Sequence, residues 1–110
     1  MGLDQYAFTR REGEKDTEIM YWRKHADLEG WMSELYYERG GEADMFNCVE
    51  LELTLEDLFR LKSQYKNLEP TSGYFFGTSG QYEENQTKVF IDNAIQAIEA
   101  GYTVIYTSWW

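Results

Sequence analysis

Alternating apolar and polar side chains mark two stretches of the chain as strands. Residues 3–9 place Tyr6 and Phe8 on alternate positions ahead of a polar turn. Residues 48–53 alternate more regularly, with aliphatic residues on one face and two glutamates on the other. A period of two residues is typical of a strand with one buried face. We therefore predict strands over residues 3–9 and 48–53.

Three longer segments carry apolar residues at helical spacing. In the first, residues 18–38, the apolar face recurs every three or four positions: Tyr21, His25, Leu28, Met32 and Leu35. The second follows Thr54, which suits a helix N-cap with Asp57 at the third helical position. The third covers residues 87–100, and Gly101 after it suits the positive φ that commonly ends a helix. Each segment is predicted to be helical.

The remaining pattern completes an α+β fold. Residues 102–106 are rich in β-branched and aromatic residues and predict a last strand. Between the second and third helices, the apolar run 74–76 predicts a short strand, and residues 78–86 a polar connection. Three to four short strands and three helices predict a small sheet packed against three helices, in one domain over residues 1–110. The strand order stays open.

The net charge of the chain limits the classes of molecule that we expect it to bind. Twenty acidic residues against ten lysines and arginines give a formal charge of -10. Direct binding to nucleic acid is disfavoured, because phosphate contact needs a basic surface. Two interpretations remain. The negative charge either keeps the domain soluble, or presents an acidic surface to a basic protein partner, such as a nucleic-acid-binding protein.

Cysteine content and hydropathy indicate the cellular compartment. The single cysteine, Cys48, excludes an internal disulfide and a thiol-based zinc site, and we expect it to be a small buried hydrophobic residue beside a strand. The opening sequence MGLDQYAFTRREGE lacks the apolar run of a signal peptide, and no stretch is long and apolar enough to span a bilayer. The sequence predicts a cytoplasmic protein that does not enter a membrane.

Catalytic chemistry has little support in the sequence. His25 is the only histidine, and we expect neither Asp27 nor Glu29 to act as its acid–base partner. Its place on the apolar helix face favours a hydrogen-bonded packing role. The adjacent carboxylates Glu56-Asp57 and Glu83-Glu84 match no metal loop with oxygen ligands at every second position, and a divalent cation at Glu50 and Glu52, which share a strand face, is the minor alternative. We predict no enzyme activity, no metal and no cofactor.

Two aromatic segments are candidates for binding. Residues 21–24 interleave rings and basic groups as Tyr21, Trp22, Arg23 and Lys24. Packing of the indole against an arginine stem is the common role of such a pair, and a cation–π or phosphate contact is the alternative. We expect Trp22 and Arg23 to border the core or reach solvent.

The second aromatic segment is a glycine-rich stretch, residues 73–80. It lacks the lysine and hydroxyl pair that close a phosphate loop, so a structural turn is the default interpretation. Its backbone donors beside Tyr74 and Phe76 would also suit a nucleotide-like ligand.

Trp109 and Trp110 are unusual residues for a terminus, where chains commonly fray. Either they fold back over the core, or they are anchors for a partner or a second copy. Open sheet edges and the two indoles make a homodimer a reasonable expectation.

Four motifs occur together in this chain: the opening MGLDQY, the stretch EIMYWRKHADLEGWM that ends beyond Trp31, the later SGYFFG and the closing SWW. In this combination they resemble a family of small uncharacterised phage-encoded proteins. Gln5 stands where the family pattern has methionine. Some members carry a phosphoglycerate kinase label, but this chain is too short for the two lobes of that enzyme. The resemblance implies phage origin and no established activity, so it carries over no catalytic residue.

Our leading hypothesis is a phage accessory protein that binds and inhibits a host protein, such as a bacterial defence factor. The alternative is a binding protein, or sponge, for a small molecule such as a nucleotide signal; a hydrolase that uses His25 is the least supported hypothesis. The candidate ligand- or partner-binding residues are Tyr21, Trp22, Arg23, Lys24, His25, Trp31, Tyr74, Phe76, Trp109 and Trp110.

Overall fold

A computed structural model describes residues 2–69 and 80–110, and these ranges form the α+β fold that the sequence predicts. The strands make one antiparallel sheet in the order β2-β1-β4-β3. Within the described residues the elements are β1 (Asp4–Arg10), β2 (Thr17–Arg23), α1 (Ala26–Glu38), β3 (Leu51–Leu53), α2 (Leu55–Gln64), α3 (Gln81–Glu99) and β4 (Thr103–Trp109).

The described helices pack on one face of the sheet. Directly paired residues of antiparallel strands share a face, so Ala7, Tyr106 and Leu51 lie in one row. All three belong to the buried cluster that also contains Leu28 of α1 and Phe90 of α3. The opposite sheet face holds the alternate residues, and we call its rings the aromatic face: Tyr6, Phe8, Tyr21 and Trp109.

The prediction of one helix over residues 18–38 is wrong in its first third. Thr17–Arg23 is strand β2, which forms a hairpin with β1 across a turn where Gly13 has a φ of 84°. Lys24 has a φ of 65°, so the backbone turns sharply before α1 begins at Ala26. The helical spacing between Tyr21 and Leu28 is a coincidence, because Tyr21 lies in strand β2 and Leu28 lies in helix α1.

The N-cap prediction for the second helix is confirmed. The Thr54 side chain accepts from the Asp57 backbone N–H at 3.2 Å, and the Asp57 carboxylate accepts from the Thr54 backbone N–H at 2.8 Å. Asp57 also receives a hydrogen bond from the guanidinium of Arg39, the residue after α1. Through Asp57, the capping interaction therefore connects the start of α2 to the end of α1.

Three further boundaries differ from prediction. Helix α3 begins at Gln81 where a polar connection was expected, because residues 81–86 form its first turns with mostly solvent-facing side chains. Strand β4 continues to Trp109, and β3 is limited to Leu51–Leu53. The strand predicted over residues 74–76 lies outside the described residues. No helix in the described part of the chain is long and apolar enough to cross a membrane.

Cys48 is exposed, so the expectation that it is a small buried residue is wrong. Its φ of 61° takes it out of the extended conformation that the alternating pattern implied. Its backbone N–H nevertheless donates to the Ser108 carbonyl at 2.7 Å. The backbone at Cys48 therefore already lies beside β4, before β3 begins.

Candidate functional site

A groove of about 830 Å³ runs along α1. Residues 44–46 and Trp110 form one wall, and the last turn of α2 with residues 67–69 forms the other. We call this the α1 groove. Its size falls in the range of sites that hold a small ligand or a short peptide segment.

The α1 groove is strongly acidic. Among the described residues that line it, six carry carboxylates and one, Arg60, carries a guanidinium. A concave surface with one sign of charge concentrates its electrostatic potential. The groove therefore favours cationic groups and repels phosphate. The carboxylates belong to Asp27, Glu29, Glu34, Glu38, Asp44 and Glu69.

Two indoles in the groove walls are held in fixed orientations. The Trp31 Nε1 donates to the Gln64 side-chain oxygen at 2.7 Å, and the Arg60 guanidinium lies 5.5 Å from the centre of the Trp31 ring system. The Trp110 Nε1 donates to the Phe46 carbonyl at 2.9 Å. Rings that are already fixed lose little conformational entropy when they bind a partner.

Glu29 lies at the floor of the groove, where its side chain is almost completely buried at 1% exposure. Its Oε1 accepts a hydrogen bond from the Tyr106 hydroxyl at 2.6 Å, and its Oε2 accepts from the Ser108 hydroxyl at 2.7 Å. The Trp110 indole also donates to Oε2, at 3.2 Å. One carboxyl group thus joins α1 to the last three alternating residues of the chain.

Gln5 extends this polar cluster to the start of α1. Its side-chain nitrogen donates to the Tyr106 hydroxyl and to the His25 carbonyl, both at 2.9 Å, and its oxygen accepts from the His25 backbone N–H at 2.8 Å. Each of these polar atoms is buried and paired, as folded proteins require. The cluster positions α1 on the sheet.

Burial changes the ionisation of two groups in this region. It raises the pKa of Glu29 from 4.5 to about 7, against the opposing effect of the hydrogen bonds from Tyr106, Ser108 and Trp110. Burial also lowers the pKa of His25 to about 4, which the charge of Asp27 opposes. Glu29 therefore changes charge near neutral pH, while the His25 ring stays neutral there.

The predicted binding residues are distributed over both faces of the sheet. Trp31 and Trp110 line the α1 groove. His25 occupies the N-cap position of α1 and is 3% exposed, so its ring is a packed group and does not line the groove. Tyr74 and Phe76 lie outside the described residues.

Trp22 is a core residue, so the expectation that it borders the core or reaches solvent is wrong. It is fully buried, its ring packs edge-on against Phe90 at 5.0 Å, and its Nε1 donates to the Thr87 hydroxyl at 3.1 Å. On a helix it would have pointed away from the Tyr21 face, but on strand β2 it alternates inward. Arg23 and Lys24 are exposed.

Tyr21 and Trp109 belong to the aromatic face, on the side of the sheet away from the groove. The Tyr21 ring lies 5.3 Å from the Tyr6 ring, and its hydroxyl donates to the Asp4 carboxylate at 2.6 Å. Trp109 is 66% exposed. Since successive residues of a strand point to opposite faces, Trp109 and Trp110 are separated by the sheet.

Glu29 was missed by sequence reasoning, although the sequence carries a signal for it. Glu29 follows His25 by four positions, which is the spacing of neighbours on one helix face. A carboxylate next to an apolar stripe is unusual and indicates a buried polar partner. Tyr106 and Ser108 alternate on β4 and so share a face, but nothing in the sequence pairs them with α1.

Within residues 2–69 and 80–110, no three His, Cys, Asp or Glu side chains are grouped in a way that could hold a metal ion. No protein-family model, curated protein or solved structure matches this chain. The sites described above are therefore interpreted from their own chemistry.

Proposed function

We propose that this chain is a phage accessory protein that binds a basic protein surface in the α1 groove and so inhibits a host factor in the host cytoplasm. The observation that carries the proposal is the lining of the groove, where the described residues supply six carboxylates against one guanidinium. An acidic groove with fixed indoles provides both long-range attraction and contact area.

Arginine and lysine side chains are the groups that this groove suits best. The chain already contains an example of this contact. The Arg60 guanidinium lies over the Trp31 ring, and one of its nitrogens is 4.0 Å from a carboxylate oxygen of Glu38. A partner's arginine would meet the same combination of indole face and carboxylate along the rest of the groove. Proteins that bind nucleic acid expose such basic residues, and occupying them would block access to phosphate.

The nucleotide-signal alternative lacks support from this groove. A nucleotide carries phosphate charges that the lining carboxylates would repel, and the single lining guanidinium, Arg60, is already near Trp31 and Glu38. The residues predicted for a nucleotide site are also dispersed, since Trp22 is buried and Tyr21 lies on the opposite sheet face. A basic protein surface fits the charge of the groove better.

The proposal is tested by charge reversal in the groove. Glu34 and Asp44 line the groove, so Glu34→Lys and Asp44→Lys together should abolish capture of a bacterial partner by the immobilised chain. The matched control is Glu12→Lys with Glu99→Lys, which changes the net charge by the same amount, because both glutamates are exposed and neither lines the groove. We expect wild type and control to retain one protein in a stoichiometric amount, released by salt.

Two results would overturn the proposal. One is that no bacterial protein is retained at low salt by the wild-type chain. The other is that the groove variant retains the same protein as the wild type. Thermal unfolding of each variant verifies that the charge changes leave the fold intact.

A further inference from the structure

One side of α1 presents an indole between carboxylates in the α1 groove. Asp27, Trp31, Glu34 and Glu38 follow one another at intervals of four, three and four residues, which places them in one row along the helix. All four line the groove. A cation held over the Trp31 ring therefore has a carboxylate about one helical turn away on either side.

The Trp31 ring already carries a cation of the same chain. The Arg60 guanidinium lies 5.5 Å from the centre of the ring system, and one of its nitrogens is 4.0 Å from a Glu38 carboxylate oxygen. Gln64, one turn beyond Arg60 on α2, accepts a hydrogen bond from the Trp31 Nε1 at 2.7 Å. This hydrogen bond holds the indole in place without Arg60, so the ring keeps its orientation when Arg60 leaves it.

Arg60 is held weakly at this position. Its side chain is 47% exposed, and that of Glu38 is more exposed still. A separation of 4.0 Å is the outer limit of an ion pair, and exposed pairs contribute little because water and salt screen them. The contact between Arg60 and Trp31 is therefore open to exchange with a guanidinium from another chain.

We propose that the Trp31 ring is an arginine-binding subsite of the α1 groove, that Arg60 covers it in the free chain, and that an arginine of a basic protein partner displaces Arg60. The inference rests on the function proposed above, because it names the side chain that the same groove recognises. Two guanidinium groups of like charge repel each other at one ring face, so Arg60 opposes the binding of a partner.

Arginine suits this subsite better than lysine. A planar guanidinium stacks on an indole while its N–H groups pair with carboxylates at the edge of the ring, which Glu34 and Glu38 supply. A lysine ammonium is a compact and more strongly hydrated charge that gains less from an indole face. The subsite should therefore separate two basic side chains that the overall charge of the groove does not distinguish.

The binding of two short peptides to the purified chain tests the subsite. Capped hexaarginine and hexalysine carry the same charge, so isothermal titration calorimetry at low salt compares the two side chains directly. We expect hexaarginine to bind at least several-fold more tightly. Trp31→Leu keeps an apolar side chain but lacks the ring, so it should lose most of that preference. Equal affinities in the wild type, or an unchanged preference in Trp31→Leu, would overturn the subsite.

Arg60→Gln tests the displacement. It should bind hexaarginine at least several-fold more tightly than the wild type, because no guanidinium of the chain then competes for the ring. The matched control is Lys62→Gln, which removes the same charge from α2 at an exposed residue that does not line the groove. A gain no larger than that of the control would mean that net charge alone matters, and the displacement would be wrong.

The arginine Nε–H signals of the isotope-labelled chain report the exchange directly. The Arg60 signal, identified by its absence in Arg60→Gln, should shift when unlabelled hexaarginine is added, because the group leaves the ring current of Trp31. A signal that stays in place at saturation would contradict the displacement. Thermal unfolding verifies that each variant is folded.

The peptide measurements need no bacterial protein, so they separate the subsite from the proposed function. If the peptides behave as expected and no bacterial protein is captured, the proposed function fails and the subsite stands. If a bacterial protein is captured through the groove but hexaarginine binding does not depend on Trp31, the subsite fails and the proposed function stands.

Discussion

The Tyr106 hydroxyl donates a 2.6 Å hydrogen bond to the Glu29 carboxyl, and this contact joins α1 to β4 beneath the floor of the α1 groove. Both groups are essentially buried, and burial holds the pKa of Tyr106 well above 10. Tyr106 therefore remains a hydrogen-bond donor near neutral pH, where Glu29 changes its charge. We therefore expect the free energy of unfolding to change with pH as Glu29 gains or loses its proton.

Glu29→Gln tests this dependence. The pKa of Glu29 is about 7 in the folded chain and 4.5 as a free side chain, so the folded state binds the proton more tightly. Stability from this group is fully present below about pH 4.5 and is lost as the pH rises through about 7, a change on the order of 3 kcal/mol. We expect urea unfolding of the wild type to show decreasing stability from slightly acidic to slightly alkaline pH, and Glu29→Gln to lose most of that slope. An unchanged slope in the variant would contradict the assignment.

His25 should have the opposite pH dependence. Burial lowers its pKa from 6.5 to about 4, so the unfolded chain takes up the proton first. Stability from His25 is present above about pH 6.5 and is lost as the pH falls toward 4, which opposes the gain from Glu29 in that interval. Glu29→Gln should therefore become less stable on acidification, and His25→Asn in the same background should reduce that loss. His25 makes no side-chain cap hydrogen bond and asparagine is a favourable N-cap residue, so we expect the substitution to leave the start of α1 in place.

Trp22 and Trp109 should respond differently to truncation, although both are among the predicted binding residues. Trp22→Ala removes a fully buried ring, its edge contact with Phe90 and its hydrogen bond to Thr87. We expect a loss of about 3–5 kcal/mol in the free energy of unfolding. Trp109→Ser should change it by no more than about 0.5 kcal/mol, because the ring is largely exposed. Equal losses measured by chemical denaturation would contradict the burial of Trp22.

The cap of α2 offers a comparison of two neighbouring residues. Thr54→Ala should lower the free energy of unfolding by about 1 kcal/mol, the usual cost of losing an N-cap side chain. Asp57→Ala should cost more, because Asp57 serves the same cap and also accepts from Arg39. Arg39→Ala should then cost less in the Asp57→Ala background than in the wild type, the remaining cost being its hydrogen bond to the Glu52 carbonyl at 2.6 Å. Additive effects of the two substitutions would show that the ion pair carries no stability.

Local sequence patterns were sufficient to predict the helices and strands whose signals span only a few residues. The Thr54 cap, the apolar stripe of α3 and the aromatic β-branched run of β4 are short-range features, and each was recovered, with boundaries that moved by several residues. Strand β2 was not recovered, because its residues also fit a helical spacing. Only pairing with β1 across the Gly13 turn decides between the two.

The sequence by itself determined the α+β class and the excess of negative charge, since these depend on composition and on periodicity within single elements. Tertiary structure alone decided that six carboxylates gather in one groove and that the aromatic face lies on the other side of the sheet. The reason is the distance along the chain between residues that meet in space. Glu29 and Ser108 are 79 positions apart, and no local pattern specifies that pairing.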